Sequence, residues 1–332
     1  MKKVLIISII ALCLCGCSKS KYVGEVNVLN WSSYIPNEVI DEFEREYNIK
    51  VNYGTYSSNE ELLAKISSSK EGTYDVIFPS DYMVELMIKK AMLEKIDISK
   101  ISNYNNINKL FLKQDFDKNN DYSLPFLAAT TVITVNRNNI KDSITGYNDL
   151  LKKEYENNIV LIDDQRIIIG MGLQACGFNM NETDISKLNI GKEWLLKLRN
   201  NIKAYDSDSP KTFLITNEVD LGVMWNAEAI IAKEYNPNIE IIYPKEGFAI
   251  SLDNYTIVKG AKNKDNAYKF INYLLRDDVN EKITHEYPYI NTTIANMNLD
   301  YNELVMVLQQ SSYVKNIGSG ISKFDKIWAE IK

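Results

Sequence analysis

The chain has 332 residues, 45% of them hydrophobic and 25% charged, with a formal net charge of -6. That length suits two domains, and the composition is that of an ordinary globular protein, which excludes a disordered chain or a membrane-spanning bundle. The acidic balance argues against nucleic acid as a partner, because phosphate binding needs a basic face.

The first elements belong to export. Lys2 and Lys3 precede an apolar run from Val4 to Leu14 that is short for a bilayer span, and small Gly16 follows, so residues 1–16 read as a signal peptide. Leu14-Cys15-Gly16-Cys17 resembles a bacterial lipobox. That resemblance implies cleavage before Cys17, diacylation of its thiol and an extracytoplasmic protein anchored to the cell membrane; the alternative is an ordinary secretory signal with a chance cysteine. Cys13 and Cys15 would leave with the signal and Cys17 would carry lipid, so Cys176 stands alone, with no disulfide or thiolate metal cluster to make. Its apolar setting, "GMGLQACG", predicts a small buried hydrophobe.

Beyond the signal, short β-rich runs alternate with helical periodicity, which predicts α/β architecture. "EVNVLNW" reads as a strand. After Pro36, suited to a first helical turn, Val39, Ile40, Phe43 and Tyr47 share one helical stripe. "KVNYGTY" is a second strand, "NEELLAKI" a short helix, "YDVIFPS" a third strand and "DYMVELMIKKAML" a helix, a run whose natural sheet is parallel. "PFLAATTVITVN" opens a second region of "NIVLIDD" (strand), "RIIIGMGLQACG" and "ISKLNIGKEWLLKLRN" (helices), "VDLGVMWN" (strand) and "AEAIIAKEY" (helix). "IEIIYPKEG" and "FAISLDNYTIV" follow, then a helical tail from about Asn263. No linker rich in Gly or Pro joins the halves, so the crossovers should be strands at the interface.

Ligands of open α/β sheets bind outside the carboxyl ends of the strands. Trp31 and Tyr34, Ser80 to Tyr82, Asp163 and Asp164, and Trp225 all follow predicted strands, and would converge on one cleft if the halves face each other.

Enzyme chemistry is poorly supplied. The one histidine, His285, rules out sites needing two imidazoles, and "THEYP" reads as a solvated helix end. There is no G-x-S-x-G, and Gly170 and Gly172 fall inside a predicted helix, which points to close packing rather than a phosphate cradle. Asp163 and Asp164 could do acid/base work, hold a cation or cap a helix. Trp and Tyr faces interleaved with carboxylates fit an organic cation, through cation–π attraction of about 0.5 to 2 kcal/mol and charge-assisted hydrogen bonds. Aromatics alone would equally suit a sugar.

Taken together, "LNWSSYIPNEVIDEFEREYNIKV", "TYSSNEELLAKI", "GTYDVIFPSDYMV", "NDYSLPFLAATTVITVN", "LIDDQR", "DLGVMWN", "PKEG" and "KFINYLLRDDV" resemble the spermidine/putrescine-binding proteins of bacterial ABC polyamine importers. The resemblance runs in order through almost the whole chain after the signal. It implies a two-lobed periplasmic-binding-protein fold of type II, each lobe a mixed, mainly parallel sheet flanked by helices, with a ligand cleft between them. Lobe one would take residues 24–127 and 252–297, lobe two residues 128–251 and 298–332. It further implies a monomeric receptor without catalysis or cofactor that captures putrescine or spermidine and delivers it to a membrane permease; a receptor for another small solute, such as a cationic amino acid, is the alternative.

Carried over by position, Trp31 and Tyr34 match an aromatic wall, Ser32 a cleft polar residue, and Ser80 and Tyr82 a second cleft loop. Asp164 and Asp253 match the amine-binding carboxylates, Trp225 a stacking face and Tyr287 an aromatic near the cleft mouth. The departures concern charge. Ile167 replaces a glutamate, Ser251 a tryptophan and Ser33 a glutamate, and Val314 aligns loosely with a glutamine. With Asp81 as a possible third acid, the two remaining carboxylates would suit a diamine and three would suit spermidine.

Overall fold

The computed structural model describes residues 22–332; the expected signal peptide and the lipidation expected at Cys17 lie outside them. β1 (Gly24–Trp31), α1 (Asn37–Tyr47), β2 (Ile49–Tyr56), α2 (Asn59–Ser68), β3 (Val76–Ile77) and α3 (Asp81–Lys89) form the first run. β1 pairs parallel with both β2 and β3. The helix stripe works as its spacing predicts: Val39, Ile40 and Phe43 are buried, and Phe43 meets Phe270 edge-on at 5.1 Å. The third strand is shorter than "YDVIFPS". Pro79 has no N–H for a ladder and ends regular pairing, although Ser80 still makes an isolated antiparallel bridge to Asp253.

β4 (Leu124–Asn136) is buried at every position. It leads to β5 (Ile159–Leu161), α4 (Gln165–Ala175), α5 (Ile185–Leu198), β6 (Ile202–Tyr205), α6 (Lys211–Ile215), β7 (Leu221–Trp225), α7 (Asn226–Tyr235), β8 (Ile239–Ile242) and β9 (Phe248–Ile257). Gly172 lets α4 and α5 approach closely, since a Cβ there would sit 2.8 Å from the Gly191 carbonyl.

The predicted helical tail is broken. α8 (Lys264–Leu274) and α9 (Asp277–Glu286) give way to β10 (Ile290–Asn291), then α10 (Tyr301–Gln310), β11 (Ser311–Tyr313) and α11 (Ile321–Ile331). Pro288 forbids continuation of α9, and the β-branched segment after it pairs antiparallel with β4.

The sheet runs β2-β1-β3-β9-β4-β7-β5-β6. β4 and β9 run antiparallel through its centre, joining β3 on one side to β7 on the other. The two halves are therefore linked by long buried strands with no flexible tether. Separate cores flank the crossover, one built on Val28, Phe43, Phe126 and Phe270, the other on Ile133, Leu161, Leu173 and Phe324.

Cys176 departs from the expected buried hydrophobe. It caps the C-terminus of α4 and is half-buried, because Gly177 (φ 79°) turns the chain outward there.

Candidate ligand-binding site

The carboxyl ends of β1, β2 and β3 build the first wall. Ser33 adopts a left-handed conformation (φ 56°) just after β1 and folds the chain back, so that Tyr34 is buried. Its hydroxyl donates to Asp253 Oδ2 at 2.7 Å, while Ser80 Oγ donates to Oδ1 at 2.6 Å. Trp31 Nε1 and the Tyr56 hydroxyl both donate to the Phe78 carbonyl, at 2.9 and 2.7 Å, and their rings lie 4.6 Å apart. Tyr34 packs on Tyr289, also at 4.6 Å. The result is an aromatic surface with one carboxylate set in it.

Asp253 is 3% exposed. Burial pushes its carboxyl up to about 6, opposed by the hydrogen bonds from Ser80 and Tyr34 and by the nearby Trp31 indole. No cation is among the groups that act on it most strongly. Burial and the adjacent Asp253 charge raise the Tyr34 phenol well above its usual range, which keeps it a donor.

Asp81 is the possible third acid of the loop after β3. It is 1% exposed, with Oδ1 accepting the Tyr82 N–H at 2.7 Å and Oδ2 facing the Leu252 N–H at 3.4 Å. Burial, and then the charge of Asp253, push it well up.

The second wall is built on helix starts. Asp164 Oδ1 caps α4, accepting the N–H groups of Arg166 and Ile167 at 2.8 and 3.0 Å, so the capping role is real and only Oδ2 is left for another partner. Burial raises its carboxyl. Asp163 points elsewhere and pairs with Lys332. Trp225 ends β7 and packs on the second core. Beside it Asn226 accepts the Thr130 N–H at 3.0 Å and donates to the Pro288 carbonyl at 3.5 Å.

Tyr82 leans against the cores of both halves, and its hydroxyl donates to Glu60 at 3.0 Å. Ser32 is exposed on the β1 loop. Tyr287 is half-buried at the end of α9, its phenol raised to about 12 by burial and Glu286, with Ser33 beside it. Tyr34, Ser80 and Asp253 thus form one hydrogen-bonded group with the Trp31 ring beside Tyr34, and Asp164, Tyr82 and Glu60 a second within mutual electrostatic reach. Ile167 and Val314 are both buried in the second core and offer no polar group.

Glu60, Tyr289 and Glu228 escaped the sequence reading. Glu60 follows β2 as Tyr34 follows β1, so the strand-end rule applied to that strand would have found it. Tyr289 stands two residues beyond Tyr287 in "EYPYI", and only the packing distinguishes them. Glu228 lies in the first turn of α7 after Trp225 and is held by Lys211 Nζ at 2.7 and 2.9 Å.

Two facing α/β halves with crossover strands and a polar, aromatic seam define the class of two-lobed binding proteins. The profile of the bacterial extracellular solute-binding protein family matches residues 38–301, and the chain belongs to that family. The spermidine/putrescine-binding periplasmic protein of Salmonella typhimurium is 40% identical over 267 residues, covering 80% of this chain and 77% of its own. That of Escherichia coli is 34% identical over 313 residues, covering 91% and 90%. Among solved structures, the spermidine/putrescine ABC transporter substrate-binding protein PotD of Streptococcus pneumoniae superposes with a TM-score of 0.81 at 30% identity, over 93% of this chain and 98% of that one. The TpPotD lipoprotein of Treponema pallidum shares the fold, with a TM-score of 0.83 at 24% identity over 93% and 99%.

Proposed function

We propose that the chain is the substrate-binding component of an ABC importer and captures a polyamine, putrescine or spermidine, in the cleft between its lobes. The observation that carries this reading is Asp253: a buried carboxylate bonded to two hydroxyls, flanked by indole and phenol faces, with hydrogen-bond donors but no cation as its strongest neighbours. A buried anion is costly unless a cation meets it, and an alkyl ammonium meets both the charge and the aromatic surface. Asp164 Oδ2 would take the other amine, with Trp31, Tyr34, Tyr82 and Trp225 along the alkyl chain and Ser32 and Tyr287 at the mouth. The names of the relatives support the same ligand class.

On this reading the lobes comprise residues 24–127 with 252–297 and residues 128–251 with 298–332, and close about β4 and β9. The receptor acts as a monomer, tethered through lipidated Cys17, and hands its ligand to the permease without altering it. Ligand binding stabilises the folded state in proportion to the logarithm of concentration over the dissociation constant. Thermal unfolding with putrescine, spermidine, arginine and glucose tests the proposal: the amines should raise the midpoint, and stabilisation by arginine or glucose alone would refute it.

A further inference from the structure

Arg166, in the first turn of α4, is 8% exposed and stands two residues beyond Asp164, whose Oδ1 accepts its backbone N–H at 2.8 Å. Its Nη2 donates to Asn181 Oδ1 and to the Lys315 carbonyl, both at 3.0 Å, and the guanidinium lies 5.1 Å from the Phe324 ring centre. Both hydrogen-bond acceptors are neutral, and Nε is buried with no acceptor at all. The charge is therefore not cancelled by a contact. It acts instead across the seam on Tyr82, Asp164, Asp81 and Glu60. A guanidinium keeps its proton under any ordinary condition, so this positive charge is permanent.

We infer that Arg166 is a built-in counter-cation that sets the net charge of the cleft and makes the site select a diamine over a triamine. The inference rests on the polyamine reading and deepens it. Asp253, Asp164 and Glu60 supply three negative charges at neutral pH. Asp81 is packed away from solvent with both oxygens turned to backbone N–H groups, so it presents none to a ligand, and Glu228 is paired with Lys211. Three carboxylates less one guanidinium leave two charges, which a diamine balances and a triamine exceeds by one. Arg166 approaches the seam from the α4 side, so its field falls on the amine that pairs with Asp164 rather than on the one at Asp253.

The test is the ratio of spermidine to putrescine affinity, measured by calorimetry at neutral pH for wild type, Arg166→Gln, Arg166→Lys and Glu60→Gln. Wild type should prefer putrescine. Arg166→Gln should move the ratio toward spermidine by about tenfold, the scale of one unit charge acting across a partly solvated cleft. Arg166→Lys should hold the wild-type ratio, and exposed Glu60→Gln should move it further toward putrescine. A structural defect alone would weaken both amines equally and leave the ratio fixed. Wild-type preference for spermidine, or an unchanged ratio in Arg166→Gln, would overturn the inference; should Arg166→Gln not fold, an unchanged ratio in Glu60→Gln would do so. Binding of neither amine by wild type would instead defeat the polyamine reading itself.

Discussion

On the first wall of the cleft, Asp253 is held from both sides by the hydroxyls of Ser80 and Tyr34, in a setting of packed aromatic rings. On the second, Asp164 spends one oxygen on the backbone of its own helix and keeps the other. The first carboxylate is oriented by side chains drawn from distant parts of the sequence, the second by local helix geometry. A wall built by tertiary packing should carry most of the affinity, and a wall built by a cap should be replaceable at little cost.

The sharpest way to break that contrast is Asp253→Asn. Removing one member of a buried charged pair costs about 2 to 5 kcal/mol of binding, so polyamine affinity in calorimetry should fall by two orders of magnitude or so, whereas Asp164→Asn should cost about tenfold. Equal losses would show that the two walls are equivalent.

pH sharpens the comparison further. The carboxyl of Asp253 is raised to about 6, from an unfolded value of about 3.9. A raised folded value means that the protonated acid is the stabilising form. Its contribution to the ligand-free protein is complete below about pH 4 and is lost as pH rises through about 6, amounting to about 3 kcal/mol. Urea unfolding at pH 5 and pH 8 should show ligand-free wild type losing stability over this window relative to Asp253→Asn. Polyamine affinity should rise over the same window, because the ligand binds the ionised form.

Tyr34→Phe keeps the ring on Tyr289 but removes one donor to Asp253, and a hydrogen bond to a charged group contributes about 1.5 to 3 kcal/mol. The midpoint of thermal unfolding in the presence of amine should fall, with the ring packing preserved. The smallest effect falls on the second wall: Asp164→Ala should lose about 0.5 to 2 kcal/mol of stability through the missing cap. Asp164→Asn should retain most of that stability while weakening the ligand, a separation of the two roles that unfolding and calorimetry together would detect.

Both walls were legible in sequence where a strand ends. Strand ends can be read from β periodicity, so Trp31 and Ser80 on the first wall, and equally Asp164 and Trp225 on the second, stand at the positions where the sheet presents them. Asp163 and Asp164 could not be separated by spacing alone; the cap distinguishes them, turning one toward α4 and the other toward Lys332. Asp81 shows the limit of counting acids, since its burial depends on β9, which lies some 170 residues away. The strand segments after Pro288 and before Val314 were hidden because two or three residues carry no measurable period; their pairing is decided by β4 and β9.

Those same two strands impose an order of events on the nascent chain. Val76 and Ile77 find their antiparallel neighbours only at Ile257 and Thr256. The early βαβαβ run cannot finish its own sheet until more than three-quarters of the polypeptide has been made. Contacts so far apart in sequence slow folding. Until β9 exists, the edge of β3 that it covers has no strand to pair with.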